Sequence, residues 1–357
     1  MTNRIGLHSI SVLIPTYRDM HLLARSLPVY LSDDRHDLEI LILNNDPAQD
    51  VVSWLRAEMQ IEAGERVRVI EMGFDTGFAR AVNRGIALSR GDLLFICNAD
   101  LFPSSSYVQT LFEFFSDHPS AGLAMGKILR YDLAVDRPTD IIDSAGLIFT
   151  RSRRFLARGE GTRDIGQFDN EQQVFAIDGA AVTARRSTLD SISLDSEYFD
   201  ETFFMYKDDW DLSWRARLLG WECWYVPQAV AMHARTGRGL GETPYLSAIR
   251  AFRQNEKAKA PHVRFHSLKN QWLLLVKNED LSNFWRDFPF IVGRELLVIS
   301  YTLLFHPKAL RAFGVFAKNL RPTLAKRRKI KTRQTAHAHE LRRWLEDTEP
   351  PGQSGAC

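Results

Sequence analysis

Short apolar runs alternate with helix-like segments over the first hundred residues of the chain. Four runs rich in aliphatic and β-branched residues predict strands: Ser9–Pro15, Leu38–Leu43, Val67–Met72 and Asp92–Cys97. The segments between them carry apolar residues at helical spacing and predict helices: Asp19–Leu31, Val51–Gln60 and Phe78–Ser89. Strands that are apolar on both faces and alternate with helices predict a mostly parallel sheet with helices on both faces.

The pattern is less regular in the middle of the chain. Residues 131–175 are polar and rich in Arg, Gly and Asp, which predicts hairpins and loops, among them a flap. Val174–Ala184 predicts a buried strand and Trp221–Val226 a further strand. Between these two strands, Asp208–Leu219 predicts a helix that ends at Gly220.

The charge and the pattern both change near residue 245. Residues 1–245 contain 25 Lys+Arg and 35 Asp+Glu, a formal charge of −10, whereas residues 246–357 contain 21 and 9, a charge of +12. We therefore predict an α/β domain over 1–245, a helical region over 246–335 and a disordered tail over 336–357.

The basic helical region contains the most apolar stretch of the sequence, Phe288–Phe305. Arg294 and Glu295 interrupt it, and a spanning helix needs about 20 predominantly apolar residues, so we predict a helix that lies on a membrane. The basic run Lys326–Arg333 suits an anionic membrane surface, and no nucleic-acid-binding motif accompanies it. We thus expect a membrane partner and no nucleic acid, and a homo-oligomer is left open.

The cysteines and the N-terminus indicate the compartment. The chain contains three Cys residues, too few and too scattered for a disulfide framework or a zinc site. Met1–Ser9 lacks the apolar core of a signal peptide. The sequence therefore predicts a cytoplasmic protein that associates peripherally with the inner face of the cell membrane.

Three groups of polar residues are candidates for chemistry. Asp100 follows a predicted strand, where a carboxylate is either an oxygen ligand for a hard divalent cation or a turn residue. Asp208 and Asp209 follow an aromatic run at a helix start, where they act either as a poised general base or as helix caps. His233 ends a strand-like stretch and is either a metal ligand or a structural residue.

The order of motifs resembles the inverting family 2 glycosyltransferases with a GT-A fold, over about residues 9–240. The segments that carry the resemblance are Val12–Tyr17, the GFARAVNRGI run at Gly77–Ile86, Asn98–Asp100, Asp178–Ala181 and Phe199–Leu212. The implied fold is a Rossmann-like, mostly parallel sheet with helices on both faces. The C-terminal helical, membrane-associating extension adds to it.

The resemblance implies a nucleoside-diphosphate sugar donor, a glycan or lipid-linked acceptor, and Mg²⁺ or Mn²⁺. It assigns the metal to Asp100 and His233, the general base to Asp209 with Asp208 beside it, and the acceptor side to Asp178 and Gly179. The donor-binding residues implied are Pro15, Thr16, Tyr17, Asn44, Asp75, Gly77, Arg80, Asn83, Asn98 and Asp100.

The rhamnosyltransferase-like enzymes are the branch that this chain resembles most, through the single acid at Asp100, the Arg158–Gly161 loop and the basic tail. This implies transfer of L-rhamnose from dTDP-rhamnose in cell-surface polysaccharide synthesis. Asn44 stands where the family usually has an Asp, and an Asn oxygen still accepts a hydrogen bond from a base. UDP-galactofuranose or UDP-GlcNAc as donor, a nucleotidyltransferase, and a non-catalytic nucleotide-sugar or nucleic-acid binding protein are the alternatives.

Overall fold

The computed structural model describes residues 7–33, 37–235, 257 and 259–346. Its first elements follow the predicted alternation: β1 (Ile10–Thr16), α1 (Met20–Leu31), β2 (Leu38–Asn44), α2 (Val51–Met59), β3 (Val67–Glu71), α3 (Gly77–Leu88) and β4 (Leu93–Cys97). Every residue of β2 and β4 is buried, as expected for strands covered on both faces.

The middle of the chain contains more regular structure than the pattern predicts. Its elements are β5 (Leu101–Pro103), α4 (Tyr107–Asp117), β6 (Ala121–Asp132), β7 (Arg137–Ser144), β8 (Leu147–Thr150), β9 (Phe155–Ala157), β10 (Gln172–Gln173), β11 (Ala181–Arg185), α5 (Arg186–Ile192), a 3-10 turn (Glu201–Phe203), α6 (Asp208–Leu218) and β12 (Glu222–His233). The hairpins expected within 131–175 are present as β6–β7 and β8–β9. The strand predicted from Val174 begins only at Ala181, because Asp178 accepts turn-type hydrogen bonds from the backbone amides of Ala180 and Ala181.

One large sheet organises these elements. Its strand order is β10-β12-β6-β11-β4-β1-β2-β3, with β5 paired to β12 and β7 to β6. The strands β4, β1, β2 and β3 are parallel, and β11 runs antiparallel between β4 and β6. The carboxyl ends of β1, β2 and β4 therefore share one edge with the beginning of β11, and the predicted α/β fold is confirmed.

The C-terminal region contains α7 (Pro261–Asn278), α8 (Leu281–Phe305), a 3-10 turn (Pro307–Leu310), α9 (Arg311–Arg333), α10 (Ala338–Arg342) and β13 (Leu345–Glu346). The predicted domain boundary at 245/246 lies outside the described residues. The tail predicted to be disordered from 336 is structured up to 346: Leu341 is buried, and β13 pairs with β8 in a small three-stranded sheet. The helix and strand in this segment are only five and two residues long, too short for an apolar pattern to predict them.

The C-terminal helices share a core with the α/β domain. Leu273 and Leu274 of α7 and Ile330 of α9 cluster with Trp214 and Phe175 of the domain. Burial of these apolar side chains joins the two parts through the hydrophobic effect.

Ion pairs also cross this junction. Lys277 is fully buried and pairs with Asp200 and, at 2.8 Å, with Asp211. Lys326 lies 2.8 Å from both Asp200 and Glu197. Part of the positive charge of the C-terminal region therefore neutralises acidic groups of the α/β domain.

The basic run Lys326–Arg333 makes further contacts within the chain. Lys329 pairs with Asp195, Lys331 lies 3.2 Å from Asp280, and Arg333 donates to the carbonyl of Ser193. The membrane contact expected of this run stays a prediction.

Candidate active site

Polar residues collect at the shared strand-end edge of the large sheet. Thr16 and Asn44 are the last residues of β1 and β2, and Asn98 follows β4 directly. The backbone amide of Asn98 donates to the carbonyl of Ala180, 3.2 Å away, just before β11. The fold thus brings the predicted donor-side and acceptor-side segments to neighbouring positions.

Asp100 and His233 meet at this edge. His233 ends β12 and pairs with Leu101 of β5, so that its Nε2 lies 3.2 Å from Asp100 Oδ1. Two ligands at right angles on one ion of the Mg²⁺ type, each about 2.1 Å from it, stand about 3 Å apart. The spacing of these two atoms is therefore compatible with a shared divalent cation, and the assignment of the metal to Asp100 and His233 stays a prediction.

Asp143 holds the other side of the His233 ring and was missed by the sequence reasoning. Its Oδ2 lies 2.8 Å from His233 Nδ1, and both side chains are buried. A carboxylate on the second ring nitrogen fixes the orientation of a metal-binding histidine. The sequence offered no signal beyond an acidic residue inside a segment that reads as loops.

The two carboxylates beside His233 stabilise positive charge on its ring. Burial by itself would lower the pKa of His233, but hydrogen bonds to Asp100 and Asp143 raise it to about 10. Arg235 lies 2.6 Å from Asp143 and also pairs with Glu160.

Within the part of the chain that the structure describes, no group of three or more His, Cys, Asp or Glu could hold a metal ion. A metal here would have two protein ligands and take others from a phosphate.

Asp19 is a second carboxylate that the sequence reasoning missed. It accepts hydrogen bonds from the Thr16 hydroxyl and from the Tyr17 amide at 2.9 Å. Burial raises the pKa of Asp19, and the charge of Asp100 raises it further. Thr16 and Tyr17, predicted to bind the donor, are thus fixed close to Asp100.

Asp209 lies against the predicted acceptor segment. Its Oδ2 accepts a hydrogen bond from the Gly179 amide at 2.9 Å, and its Oδ1 accepts one from the Trp210 amide. A Cβ at Gly179 would approach the carboxylate to 3.2 Å, so the glycine allows this close contact. The N-cap residue of α6 is Lys207, whose side chain makes no capping hydrogen bond. Asp209 accepts from a first-turn amide without occupying the N-cap position.

Asp208 and Asp211 occupy different surroundings from Asp209. Burial, with the charge of Asp211 as a smaller cause, raises the pKa of Asp208 to about 7. Asp211 is turned away, as predicted, and lies 2.9 Å from Arg215 and 2.8 Å from Lys277. Burial by itself would raise the pKa of Asp211, but these cations lower it.

Several predicted donor-binding residues make contacts within the chain. Asn83 accepts from the backbone amide of Phe199 and donates to its carbonyl, both at 2.8 Å, and Arg80 lies 2.7 Å from Glu201. These bonds tie α3 to the segment before α6. Asp75 accepts from the amide of Gly77, whose φ of 75° favours glycine.

Asn44 is also engaged by its neighbours. Its amide donates to the Gln49 carbonyl at 2.9 Å and to Glu71 at 2.8 Å, and its oxygen accepts from the Asp46 amide. Recognition of a base by Asn44, like the roles of Pro15 and Asp178, stays a prediction.

Comparison with known proteins agrees with the motifs. Residues 11–179 match the family "Glycosyl transferase family 2". The chain is 27% identical over 204 residues to "N-acetylglucosaminyl-diphospho-decaprenol L-rhamnosyltransferase" of two Mycobacterium tuberculosis strains. The alignment covers 48% of this chain and only 61% of the relatives' length.

Two solved structures share the fold. GalNAc-T7 with UDP, GalNAc and Mn²⁺ has a TM-score of 0.55 at 12% identity, covering 76% of this chain and 48% of that one. S. aureus TarS 1-349 in complex with UDP-GlcNAc has a TM-score of 0.51 at 13% identity, covering 91% and 89%. The resemblance to family 2 glycosyltransferases with a GT-A fold is confirmed.

Proposed function

From the family 2 match over residues 11–179, we propose that this chain is an inverting glycosyltransferase that moves a sugar from a nucleoside diphosphate to an acceptor hydroxyl. One observation carries the proposal. A candidate metal pair, Asp100 and His233, and a candidate base, Asp209 on Gly179, lie at neighbouring strand ends of one sheet. Inversion needs a leaving-group site and a base site that face the anomeric carbon from opposite sides.

Each residue then has a chemical task. Asp209 accepts the proton of the acceptor hydroxyl while the oxygen of that hydroxyl forms a bond to the anomeric carbon and the bond from that carbon to the diphosphate breaks. Asp208, beside it, orients the sugar or the acceptor. Asp100 and His233 would hold Mg²⁺ or Mn²⁺, which supplies positive charge to the departing diphosphate. GalNAc-T7 was solved with UDP and Mn²⁺, which supports a metal of this kind.

For the donor we propose dTDP-rhamnose, supported by the mycobacterial rhamnosyltransferases and the motifs of that branch. UDP-GlcNAc, which TarS binds, and UDP-galactofuranose remain alternative donors. The test incubates the purified chain with each nucleotide sugar, with Mn²⁺ or with EDTA, and measures release of nucleoside diphosphate. We expect Mn²⁺-dependent release from dTDP-rhamnose before the UDP-sugars. Full activity in EDTA would contradict the metal, and turnover of a UDP-sugar alone would contradict the donor.

For the acceptor we propose a lipid-linked glycan at the inner face of the membrane. Among the described residues, α8 is the one helix long and apolar enough to cross a membrane. Trp285, Leu296 and Leu303 are exposed on it at spacings close to whole helical turns, so they form one apolar face. Asp287 of the same helix is fully buried against Arg151 and other arginines. A helix anchored to the protein in this way favours lying on the bilayer over crossing it.

A further inference from the structure

The backbone that leads into Asp208 and Asp209 is strained. Phe204, Tyr206 and Lys207 have φ values of 66°, 67° and 65°, in the left-handed region that side chains other than glycine avoid. Backbone strain of this kind persists only where surrounding contacts hold it. We name this segment, residues 203–207, the catalytic turn, because α6 begins directly after it.

Asn270 of α7 supplies the hydrogen bonds that hold the catalytic turn. Its side-chain amide donates to the carbonyls of Phe203 at 3.1 Å, Met205 at 2.8 Å and Tyr206 at 2.7 Å. Asn270 is fully buried, so water does not replace these bonds. Lys269, the preceding residue, donates to the carbonyl of Thr202, just before the turn.

Other contacts clamp the turn from both sides. Gln271 of α7 accepts from the Lys207 ammonium at 2.5 Å and donates to the carbonyl of Arg153. The Phe204 ring stacks on His266, with centroids 5.2 Å apart, and covers Gly77, where a Cβ would come within 2.6 Å of it. The turn therefore lies between α7 and the start of α3.

We propose that Asn270 is a positioning residue for the Asp208–Asp209 pair, and that α7 completes the active site from outside the segment 11–179 that matches the family. The strained turn has no glycine to relax its geometry, so the direction of the two carboxylates depends on an external clamp. This inference rests on the proposed function, since transfer is one of its readouts. It gives the C-terminal region a role in catalysis in addition to membrane contact.

The chain offers a matched control on the same helix. Asn278 is fully buried like Asn270, and its amide also donates to the α/β domain, but to Asp211 at 2.8 Å and not to the turn. Asn270→Ala and Asn278→Ala therefore both remove a buried amide that spans the same junction. Only the first one releases the catalytic turn.

The experiment compares the two variants in the full-length protein by three measurements. They are single-turnover transfer at saturating donor, donor Kd by calorimetry, and hydrogen–deuterium exchange of residues 203–209. We expect Asn270→Ala to lower the transfer rate by about tenfold to a hundredfold, the scale of a small misplacement of catalytic groups. Its donor Kd should stay within about threefold and its exchange should accelerate. Asn278→Ala should keep the transfer rate within about threefold and leave that exchange unchanged.

Equal loss of rate in both variants, in proportion to lost stability, would overturn the inference, and so would unchanged exchange in Asn270→Ala. If Asn270→Ala does not fold, Asn270→Ser, which fills part of the volume, carries the same expectations. Absence of transfer by the wild type with every donor would count against the proposed function alone. The exchange comparison still tests the clamp in that case.

Discussion

The substitution Asp209→Asn tests whether Asp209 is the general base, because it removes the proton-accepting group and keeps the shape of the side chain. The asparagine oxygen can still accept the 2.9 Å hydrogen bond from the Gly179 amide, but the NH2 group beside it cannot accept the one from the Trp210 amide. The side chain should therefore keep its place at a cost of about 1–3 kcal/mol of stability. An amide cannot take up the acceptor proton. We expect single-turnover transfer at saturating donor to fall about 10²–10⁴-fold, the usual share of general base catalysis. Donor and Mn²⁺ affinities should persist, since Asp100 and His233 are untouched.

Asp211→Asn is the matched control, two residues further along α6. Asp211 is fully buried between Arg215 and Lys277, so losing its charge leaves buried cations with one partner fewer. Breaking a buried pair costs about 3–5 kcal/mol, which urea unfolding would detect. The folded fraction should transfer at nearly the wild-type rate. A rate within about threefold of wild type in folded Asp209→Asn, worth less than about 1 kcal/mol of barrier, would rule out Asp209 as the base.

Three further predictions concern pH, metal and membrane. Because the pKa of Asp208 is raised from 3.8 to about 7, the folded state binds its proton more tightly, and stability should fall as pH rises through that window. Urea unfolding at pH 5 and 8 should show this fall in the wild type and a smaller one in Asp208→Asn; equal slopes would contradict it. Asp143→Asn should weaken Mn²⁺ binding by about 10–100-fold, measured by calorimetry with UDP present. The control is Asp140→Asn, at an exposed pair with Arg163, which should leave Mn²⁺ affinity unchanged. Equal affinities of the two variants would show that Asp143 does not orient His233. Trp285→Ser with Leu303→Ser should reduce co-sedimentation with anionic vesicles, and undiminished binding would exclude this face.

The sequence alone was sufficient for the parallel part of the sheet, β1 to β4, and for its polar edge, whereas the inner strand β6 gave no signal that was read. Apolar runs such as Leu38–Leu43 become strands buried on both faces, because such strands have no polar side to present to water. The strand-end positions of Asn44, Asn98 and Asp100 follow from the same pattern. The ordered motifs indicated the resemblance to the family 2 glycosyltransferases, because each motif places particular residue types at a fixed position along the chain.

Only the tertiary structure decided what surrounds these residues. Asp143 reaches His233 from a strand ninety residues earlier in the chain, and local periodicity carries no information about such a contact. The sequence also does not show that Lys277 and Lys326 pair with Asp200 and do not face solvent. Likewise, nothing in the sequence distinguishes Asn270 from other polar residues, and only the fold shows that it donates to carbonyls of the catalytic turn. Hydrophobic pattern determines which residues are buried, whereas the partners of buried polar groups depend on long-range packing.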